Sequence, residues 1–238
     1  MTGKKSSGTG AGNRQAAVRV KTARRRSLSS TLWLERQLND PYVAQATRQG
    51  YRSRAAFKLL QLDERFHLLK PGARIVDLGA APGGWTQVAV ERSQPDRRGG
   101  AVVALDILEM APIAGAVLLH ADFLADDACP RLVAALGGQA DLVLSDMAAP
   151  TTGHGATDHL RITALAEAAY DFAASVLSPG GAFVCKLFQG GAERRLLERL
   201  KRDFAQVRHA KPPASRAESS ETYLVATGFR GEALIAGS

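Results

Sequence analysis

The sequence predicts an α/β fold built on one doubly wound, mostly parallel sheet, and two patterns carry that prediction. From residue 74 onward, short apolar runs alternate with stretches of helical periodicity. The runs are apolar on both faces, which is typical of parallel strands that helices cover on either side. With 238 residues, 45% hydrophobic and 23% charged, the chain is long enough for one large domain with a sizeable core.

The alternation predicts six strands and six helices. The second helix is expected to have Ser53 as its N-cap, because a serine hydroxyl can accept from an exposed amide of the first turn. The strands are predicted at 74–78, 101–105, 116–120, 142–145, 182–187 and 223–227. The helices are predicted at 31–37, 53–68, 84–92, 126–136, 162–176 and 193–204.

Positive charge is concentrated at the N-terminus. The chain has 31 Lys and Arg against 23 Asp and Glu, a net charge of +8. Eight of the cations and none of the acids lie in residues 1–30, so residues 31–238 hold 23 of each and are neutral. Because the first segment is rich in Gly, Ser, Lys and Arg and poor in large apolar side chains, we expect residues 1–30 to be a disordered basic tail. Residues 31–238 are expected to form the single folded domain.

Targeting signals and metal ligands are not evident in the sequence. No run of about 18 apolar residues exists, so no membrane span is expected, and the basic N-terminus lacks the apolar centre of a signal peptide. An organelle transit peptide is the alternative interpretation of this Arg-rich, acid-free segment, although it lacks helical apolar periodicity. Cys129 and Cys185 lie in apolar stretches without metal-binding spacing, which favours two free thiols in a reducing cytoplasm.

The strongest local signal lies between the first strand and its helix, where residues 76–85 read Val-Asp-Leu-Gly-Ala-Ala-Pro-Gly-Gly-Trp. Small residues there let the backbone turn tightly and approach a ligand. The turn lacks the GxGxxG spacing of dinucleotide sites and the Lys-Ser/Thr of a P-loop. It therefore favours a nucleoside ligand without phosphates, of which S-adenosylmethionine is the common one, and disfavours a nicotinamide dehydrogenase.

Two acids follow the next two strands. Asp106 ends the second strand, where a carboxylate can accept from both hydroxyls of a ribose. Asp122 follows the third strand and is placed to accept from an adenine amino group. A helix cap or a solvated loop is the alternative for either acid alone. Because all three features fall at successive strand ends, the sequence predicts a methyl-donor site.

Asp146 and Lys186 indicate the chemistry. Asp146 ends the fourth strand, where enzymes that methylate exocyclic amines carry an Asn-Pro-Pro-aromatic motif instead. Lys186 lies in an apolar fifth strand, on the face opposite Cys185 and Leu187, and a lysine there is costly unless it has a partner or a task. A ribose 2′-hydroxyl must lose its proton as it attacks a methyl group, and a lysine amine can accept that proton. A salt bridge that joins two strands is the alternative.

Together these segments resemble the FtsJ-type ribose 2′-O-methyltransferases of large-subunit ribosomal RNA. The resemblance implies the seven-stranded, Rossmann-like sheet of S-adenosylmethionine-dependent methyltransferases. It implies a catalytic tetrad of Lys58, Asp146, Lys186 and Glu221, and donor contacts at Gly83, Trp85, Asp106, Asp122 and Asp146. The matching segments are 51–59, 76–85, 105–107, 121–123, 145–147, 186–188, 215–216 and 221–226.

In the family pattern Lys186 is the principal catalytic residue, and Lys58 and Glu221 position the hydroxyl and the lysine. Glu218 lies three residues before Glu221, but only Glu221 directly precedes the Tyr-Leu-Val strand that the motif requires. Residues 147–150 read Met-Ala-Ala-Pro, where many relatives have Met-Ala-Pro-Asn. His154 and His159 are interpreted as loop or cap residues.

The neutral body has two local excesses of positive charge. Residues 31–70 hold seven cations and four acids, and residues 193–216 hold eight and three. If these cations form one basic face around a cleft, that face is typical of a protein that binds a phosphate backbone. The alternative is that they lie on solvated helix faces without a ligand. The cations concerned are Arg48, Arg52, Arg54, Arg194, Arg195, Arg199, Lys201, Arg202, Arg208, Lys211 and Arg216.

These observations predict an enzyme that methylates a ribose 2′-hydroxyl, that of a uridine, in 23S ribosomal RNA of the large ribosomal subunit. The cofactor is S-adenosylmethionine, the partner is the large subunit or its RNA, and no membrane or metal is involved. We expect a cytoplasmic monomer. The alternatives are the same chemistry on transfer RNA or a messenger cap, and an RNA-binding ribosome-assembly factor without catalysis, against which the complete tetrad argues.

Overall fold

The computed structural model describes residues 27–150, 152–188 and 193–231. The chain divides into two compact units, residues 1–44 and residues 45–238. No helix in the described part of the chain is long and apolar enough to cross a membrane.

In the first unit, helix α1 (Leu28–Leu38) begins earlier than the sequence predicted. Ser27 is its N-cap, and the Ser27 hydroxyl accepts a hydrogen bond from the Ser30 amide at 3.3 Å. The predicted tail over residues 1–30 is therefore wrong at its last three residues, which are helical because this cap satisfies an amide of the first turn. The rest of the predicted tail, up to residue 26, lies outside the described residues.

Helix α2 (Pro41–Gln49) was not predicted. Asp40 precedes it and its carboxylate accepts from the Tyr42 amide at 3.0 Å. The sequence PYVAQATRQ has too few large apolar residues to show a helical stripe, and this explains why periodicity missed it.

The remaining elements form an α/β layered fold around one sheet. The strands are β1 (Arg74–Leu78), β2 (Ala101–Asp106), β3 (Val117–His120), β4 (Ala140–Ser145), β5 (Leu177–Phe188), β6 (Phe204–Ala210) and β7 (Glu221–Phe229). The further helices are α3 (Ala56–Phe66), α4 (Gly84–Ser93), α5 (Pro95–Arg98), α6 (Ala128–Leu136), α7 (Gly155–Val176) and α8 (Arg194–Asp203).

The strand order is β3-β2-β1-β4-β5-β7-β6, and the predicted seven-stranded, mostly parallel sheet is confirmed. Strands β1 to β5 pair in parallel, whereas β7 lies antiparallel to both β5 and β6. The carboxyl ends of β1, β2, β4 and β5 therefore meet at one edge of the sheet, and β7 brings its amino end to the same edge. This edge positions every predicted site residue except Lys58, which α3 supplies.

The predicted Ser53 cap of α3 is wrong. Ala55 is the N-cap, and no side chain caps the helix. A Cβ on Gly84 would collide with the Ser53 hydroxyl, so the Ser53 side chain packs against the start of α4 instead. The Ser53 carbonyl, not its hydroxyl, accepts from the Ala56 amide at 3.2 Å.

Buried strand residues alternate between two cores, one on each face of the sheet. The face toward α6, α7 and α8 holds Val76, Cys185 and Leu187 among its core residues. The opposite face, toward α3 and α4, holds Ile75 and Val184. Lys186 lies between Cys185 and Leu187 in β5 and so shares the face of Val184, as the strand alternation predicted.

Candidate active site

A cavity of about 820 Å³ opens at the carboxyl edge of the sheet. It is bordered by the glycine-rich loop after β1, the segments after β2, β3 and β4, and one turn of α7. The residues that line it are Gly79, Ala81, Leu105, Asp106, Ile107, Leu108, Asp122, Phe123, Leu124, Asp146, Met147, Ala148, Ala149, Pro150, Arg161, Ala164 and Leu165.

Gly79 lets two loops approach each other at the floor of this cavity. Its φ is +75°, and a Cβ there would lie 2.7 Å from the Met147 Cα. The Gly79 amide donates to the Leu105 carbonyl at 2.9 Å, so the loop is also fixed to β2. A side chain at this position would therefore be strained and would also push the loop after β4 away.

Backbone amides orient the two acids that were predicted to bind a nucleoside. Asp106 is 8% exposed, and its two carboxylate oxygens accept from the Ala81 and Leu108 amides, both at 2.8 Å. Asp122 accepts from the Leu124 amide at 3.0 Å. Each carboxylate oxygen has a further lone pair, so both acids can still accept from a ligand in the cavity. The structure brings Asp106, Asp122 and Asp146 to one cavity.

The lining fits S-adenosylmethionine better than a phosphorylated cofactor. Within the described residues, the lining holds three carboxylates and Arg161 as its one cation, which suits a positively charged ligand and repels phosphates. Apolar side chains such as Leu108 and Phe123 form walls against which an adenine can pack. The volume lies within the range of small-molecule sites, about 300–1,000 Å³.

Gly83 and Trp85 do not line this cavity. Gly83, with a φ of +109°, is the N-cap of α4 and lies against the Ile113 side chain. Trp85 is 2% exposed, and its indole N–H donates to the Ala55 carbonyl at 2.8 Å. Trp85 therefore ties α4 to the segment before α3, and the donor contacts that the resemblance implies for these two residues stay predictions.

Beside the cavity, two ion pairs bring the four predicted tetrad residues together. Lys186 Nζ lies 3.2 Å from Asp146 Oδ1, and Lys58 Nζ lies 2.7 Å from Glu221 Oε1. Lys186 Nζ also donates to the Asp146 carbonyl. The four side chains are between 8% and 17% exposed, so they are mostly desolvated but remain open on one side.

Tyr223 bridges the two pairs, and the sequence did not reveal it. Its hydroxyl lies 2.8 Å from Asp146 Oδ1 and 3.2 Å from Glu221 Oε1, and it accepts from Lys58 Nζ at 3.1 Å. Burial first, and then the nearby Asp146 and Glu221 carboxylates, raise the pKa of Tyr223 well above its usual range. The phenol therefore stays protonated, and its O–H can donate a hydrogen bond to one of the two carboxylates.

The loop before β7 fixes Glu221. The Ser215 hydroxyl donates to Glu221 Oε1 at 2.9 Å, and the Glu221 amide donates to the Ser219 hydroxyl at 3.1 Å. Lys211 Nζ donates to the carbonyls of Ala217 and Ser219 and so holds the loop together. The structure thus brings Glu221, rather than the exposed Glu218, to Lys58.

Asp77 is a buried acid in β1 to which the sequence assigned no role. It is fully buried, the Thr86 hydroxyl donates to its Oδ2 at 2.7 Å, and its Oδ1 has no hydrogen-bond partner among the described residues. Burial chiefly, opposed by the Thr86 hydrogen bond and assisted by Asp146 and Asp106, raises the pKa of Asp77 to about 7. Asp77 therefore holds its proton more tightly than an exposed aspartate does.

The two histidines that were interpreted as loop or cap residues, His154 and His159, lie at the start of α7. His154 occupies the N-cap position without a side-chain cap, and His159 Nε2 lies 3.6 Å from Glu193 Oε2. Neither lies among the residues of the cavity or the tetrad.

Many of the cations predicted to face RNA have structural partners. Arg52, Arg54 and Lys211 donate to backbone carbonyls, and Arg194, Arg199 and Arg202 form ion pairs with carboxylates. Among the described residues, the exposed cations of this group with neither an ion pair nor a side-chain hydrogen bond to a carbonyl are Arg48, Arg195, Lys201 and Arg208. The six side chains named first therefore have partners within the protein, and the contact of the eleven cations with RNA stays a prediction.

The strand order, the glycine-rich turn and the acid-lined cavity define a Rossmann-like methyltransferase. The model of the FtsJ-like methyltransferase family matches residues 51–229, and the chain belongs to that family.

Named relatives and a solved structure support this assignment. The chain is 68% identical over 227 residues, 94% of this chain and 93% of the relative, to ribosomal RNA large subunit methyltransferase E of Paramagnetospirillum magneticum. The protein of the same name from Rhodospirillum rubrum is 64% identical over 92% of this chain and 84% of its own length. A crystal structure from Plasmodium falciparum, assigned as a ribosomal RNA methyltransferase, aligns with a TM-score of 0.68 at 31% identity, over 76% of this chain and 100% of that one.

Proposed function

We propose that this protein transfers the methyl group of S-adenosylmethionine to the 2′-oxygen of a ribose, that of a uridine, in 23S ribosomal RNA of the large subunit. The names of its relatives support the ribosomal RNA substrate. The observation that carries the chemistry is the Lys186–Asp146 pair, because Asp146 belongs both to this pair and to the donor cavity.

The chemistry follows from the position of Lys186. When bound, S-adenosylmethionine supplies an electrophilic methyl group on sulfur. Lys186 can act as a base only after its ammonium has lost a proton; the neutral amine then has two N–H groups, and two acceptors, the Asp146 carbonyl and Oδ1, lie beside it. Its lone pair then remains to accept the proton of a ribose hydroxyl.

The Lys58–Glu221 pair orients the substrate side of the site. Lys58 Nζ can donate to the ribose oxygen, while Glu221 holds the ammonium at 2.7 Å. Tyr223 joins this pair to Asp146, so the two lysines keep a fixed spacing. Positioning of this kind lowers the barrier because the hydroxyl meets the base in one geometry.

The exposed cations Arg195, Lys201 and Arg208 are the proposed contacts to the phosphate backbone. We infer that the protein acts as a monomer in the cytoplasm, where such a substrate would be met. Light scattering of the purified protein tests the oligomeric state.

Transfer of labelled methyl groups to defined RNAs tests the substrate. Purified protein and labelled S-adenosylmethionine are incubated with large ribosomal subunits or 23S RNA from cells that lack the gene, with transfer RNA, and with capped messenger RNA. We expect stoichiometric labelling of the subunits or the 23S RNA and none of the other two. Exclusive labelling of transfer RNA or caps would replace the substrate, and binding without labelling of any RNA would favour an assembly factor.

A further inference from the structure

Arg52 joins two loops that both contribute residues to the lining of the donor cavity. Its Nη1 donates to the Ala111 carbonyl at 2.7 Å and its Nη2 donates to the Pro112 carbonyl at 2.7 Å. The same Nη1 lies 3.4 Å from the Pro82 carbonyl of the glycine-rich loop. One guanidinium therefore holds the segment after β2 against the loop after β1.

The backbone around Arg52 is itself fixed to α4. The Arg52 amide donates to Gln87 Oε1 at 2.8 Å, and Gln87 Nε2 donates to the Gly50 carbonyl at 3.0 Å. A Cβ on Gly83 would lie 3.2 Å from the Arg52 Cδ and Nη1. The absence of a side chain at Gly83 thus leaves room for the guanidinium to reach across the glycine-rich loop.

The segment that Arg52 holds carries part of the cavity wall. Ile107 and Leu108 line the cavity, and Asp106, just before them, accepts amides from both loops. If residues 107–115 moved outward, the cavity would widen and the Leu108 amide would leave Asp106. The distance between the loop after β1 and the segment after β2 therefore depends on the contacts that Arg52 makes.

We propose that Arg52 is a positioning residue for the methyl donor, which fixes to each other two loops that both contribute residues to the lining of the donor cavity. This rests on the proposed function, because it takes S-adenosylmethionine as the ligand. It also changes the interpretation of the charge pattern: both terminal nitrogens of Arg52 are engaged by carbonyl oxygens, so the bidentate edge that a phosphate would use is occupied.

Donor affinity in four variants tests the proposal. Arg52→Ala removes the guanidinium, and Arg52→Lys keeps the charge but replaces the planar fork by one ammonium. Arg48→Ala is the charge-matched control, because Arg48 is an exposed cation of α2 without an ion pair among the described residues. Tyr51→Phe is the structural control, because it removes a hydrogen bond from the same turn to Glu91 of α4.

Isothermal titration calorimetry with S-adenosylmethionine gives the dissociation constants. We expect affinity to fall about tenfold or more in Arg52→Ala, which loses every contact of the guanidinium, and by a smaller, several-fold factor in Arg52→Lys, which keeps the charge but cannot bind two carbonyls as a planar fork. Both controls should bind the donor like the wild type. In turnover assays the KM for the donor should rise by a larger factor than kcat falls.

Two results would overturn the proposal. Wild-type donor affinity in Arg52→Ala, with RNA affinity lowered in both Arg52→Ala and Arg48→Ala, would make Arg52 a phosphate contact. An equal loss of donor affinity in Tyr51→Phe would make the effect one of general folding. A wild-type protein that does not bind S-adenosylmethionine would refute the proposed function itself, which is distinguishable from either result.

Discussion

The donor cavity and the charged cluster share Asp146 but are built in different ways. The charged cluster consists of the two ion pairs and the tyrosine that bridges them: Lys58, Asp146, Lys186, Glu221 and Tyr223. In the cavity, Asp106 and Asp122 accept amides from residues two positions later in the chain, so local turns orient them. In the cluster, Lys58 and Tyr223 are 165 residues apart, and Tyr223 and Asp146 are 77 apart. The cavity therefore depends on loop conformation, whereas the cluster depends on how α3, β4, β5 and β7 pack together.

Because the cavity and the cluster are built in different ways, donor binding and methyl transfer should respond to different substitutions. Under the proposed function, a substitution in the cavity should change donor affinity, because the acids there would accept from the ligand as well as from backbone amides. A substitution in the cluster should change the rate of transfer, because in the proposed mechanism its side chains hold the proton acceptor and the attacking oxygen. Variants on each side test whether the two regions are independent.

The largest expected effect is that of Lys186→Ala. Methyl transfer should fall on the order of a thousandfold, because removal of a positioned base costs about 10²–10⁴ in rate. Donor affinity should stay within a few-fold of the wild type. Single-turnover kinetics and calorimetry measure the two quantities, with Lys70→Ala at an exposed position as the control. Retained transfer would remove Lys186 from the mechanism.

Asp77→Asn tests whether the raised pKa of this buried acid makes the stability of the protein depend on pH. The pKa of Asp77 is about 7 in the folded protein, above the usual carboxyl value of 3.8, so the folded state binds this proton more tightly than the unfolded state. The free energy of unfolding of the wild type should therefore decrease as pH rises from about 4 to about 7, by a few kcal/mol from this group.

In Asp77→Asn the loss of unfolding free energy that Asp77 causes with rising pH should vanish, because the amide is neutral. The amide can still accept from the Thr86 hydroxyl. Chemical denaturation of both proteins between pH 4 and pH 8, without donor, measures that loss. The variant should gain stability relative to the wild type as pH rises. Parallel pH profiles for the two proteins would show that Asp77 ionises normally.

Asp106→Asn should weaken donor binding by about 10- to 100-fold, because a hydrogen bond to a charged group contributes about 1.5–3 kcal/mol. At saturating donor, the single-turnover rate should change by a smaller factor than the affinity. Calorimetry and rapid-quench kinetics give both values. A rate loss as large as the affinity loss would show that the cavity and the cluster act as one unit.

Tyr223→Phe has the smallest expected effect of the four. It removes the hydroxyl that joins the two ion pairs and should lower the transfer rate about tenfold, since one hydrogen bond contributes about 0.5–1.5 kcal/mol. Donor affinity should not change. Tyr51→Phe, which loses a hydrogen bond outside the cluster, is the matched control. An equal rate loss in both variants would indicate a general effect on folding.

The apolar strands could be predicted from the sequence, but β6 could not. Strands β1, β2, β4 and β5 are buried on both faces, so they appear as continuous apolar runs. Strand β6 lies at the edge of the sheet and has four exposed residues among seven, and Gln, Arg and His interrupt its apolar residues in the sequence FAQVRHA. β6 therefore lacks the apolar run by which the central strands were recognised, whereas the other edge strand, β3, keeps one in its sequence VLLH and was predicted.

For the site, acids at strand ends could be located, because parallel strands bring their carboxyl ends together. Tyr223 could not be assigned a role, because a tyrosine in an apolar strand has the pattern of a core residue. Arg52 was grouped with the RNA-facing cations for a related reason: charge is visible in a sequence, whereas the carbonyls of Ala111 and Pro112 that Arg52 binds are not.

The position of the added methyl group shows whether the protein methylates the ribose 2′-oxygen and whether it needs Lys186 to do so. RNA methylated by the wild type and by Lys186→Ala is digested to nucleosides, which are identified by mass spectrometry. We expect a 2′-O-methylated nucleoside from the wild type and none from the variant. A nucleoside methylated on its base, or a 2′-O-methylated product from Lys186→Ala, would contradict that expectation.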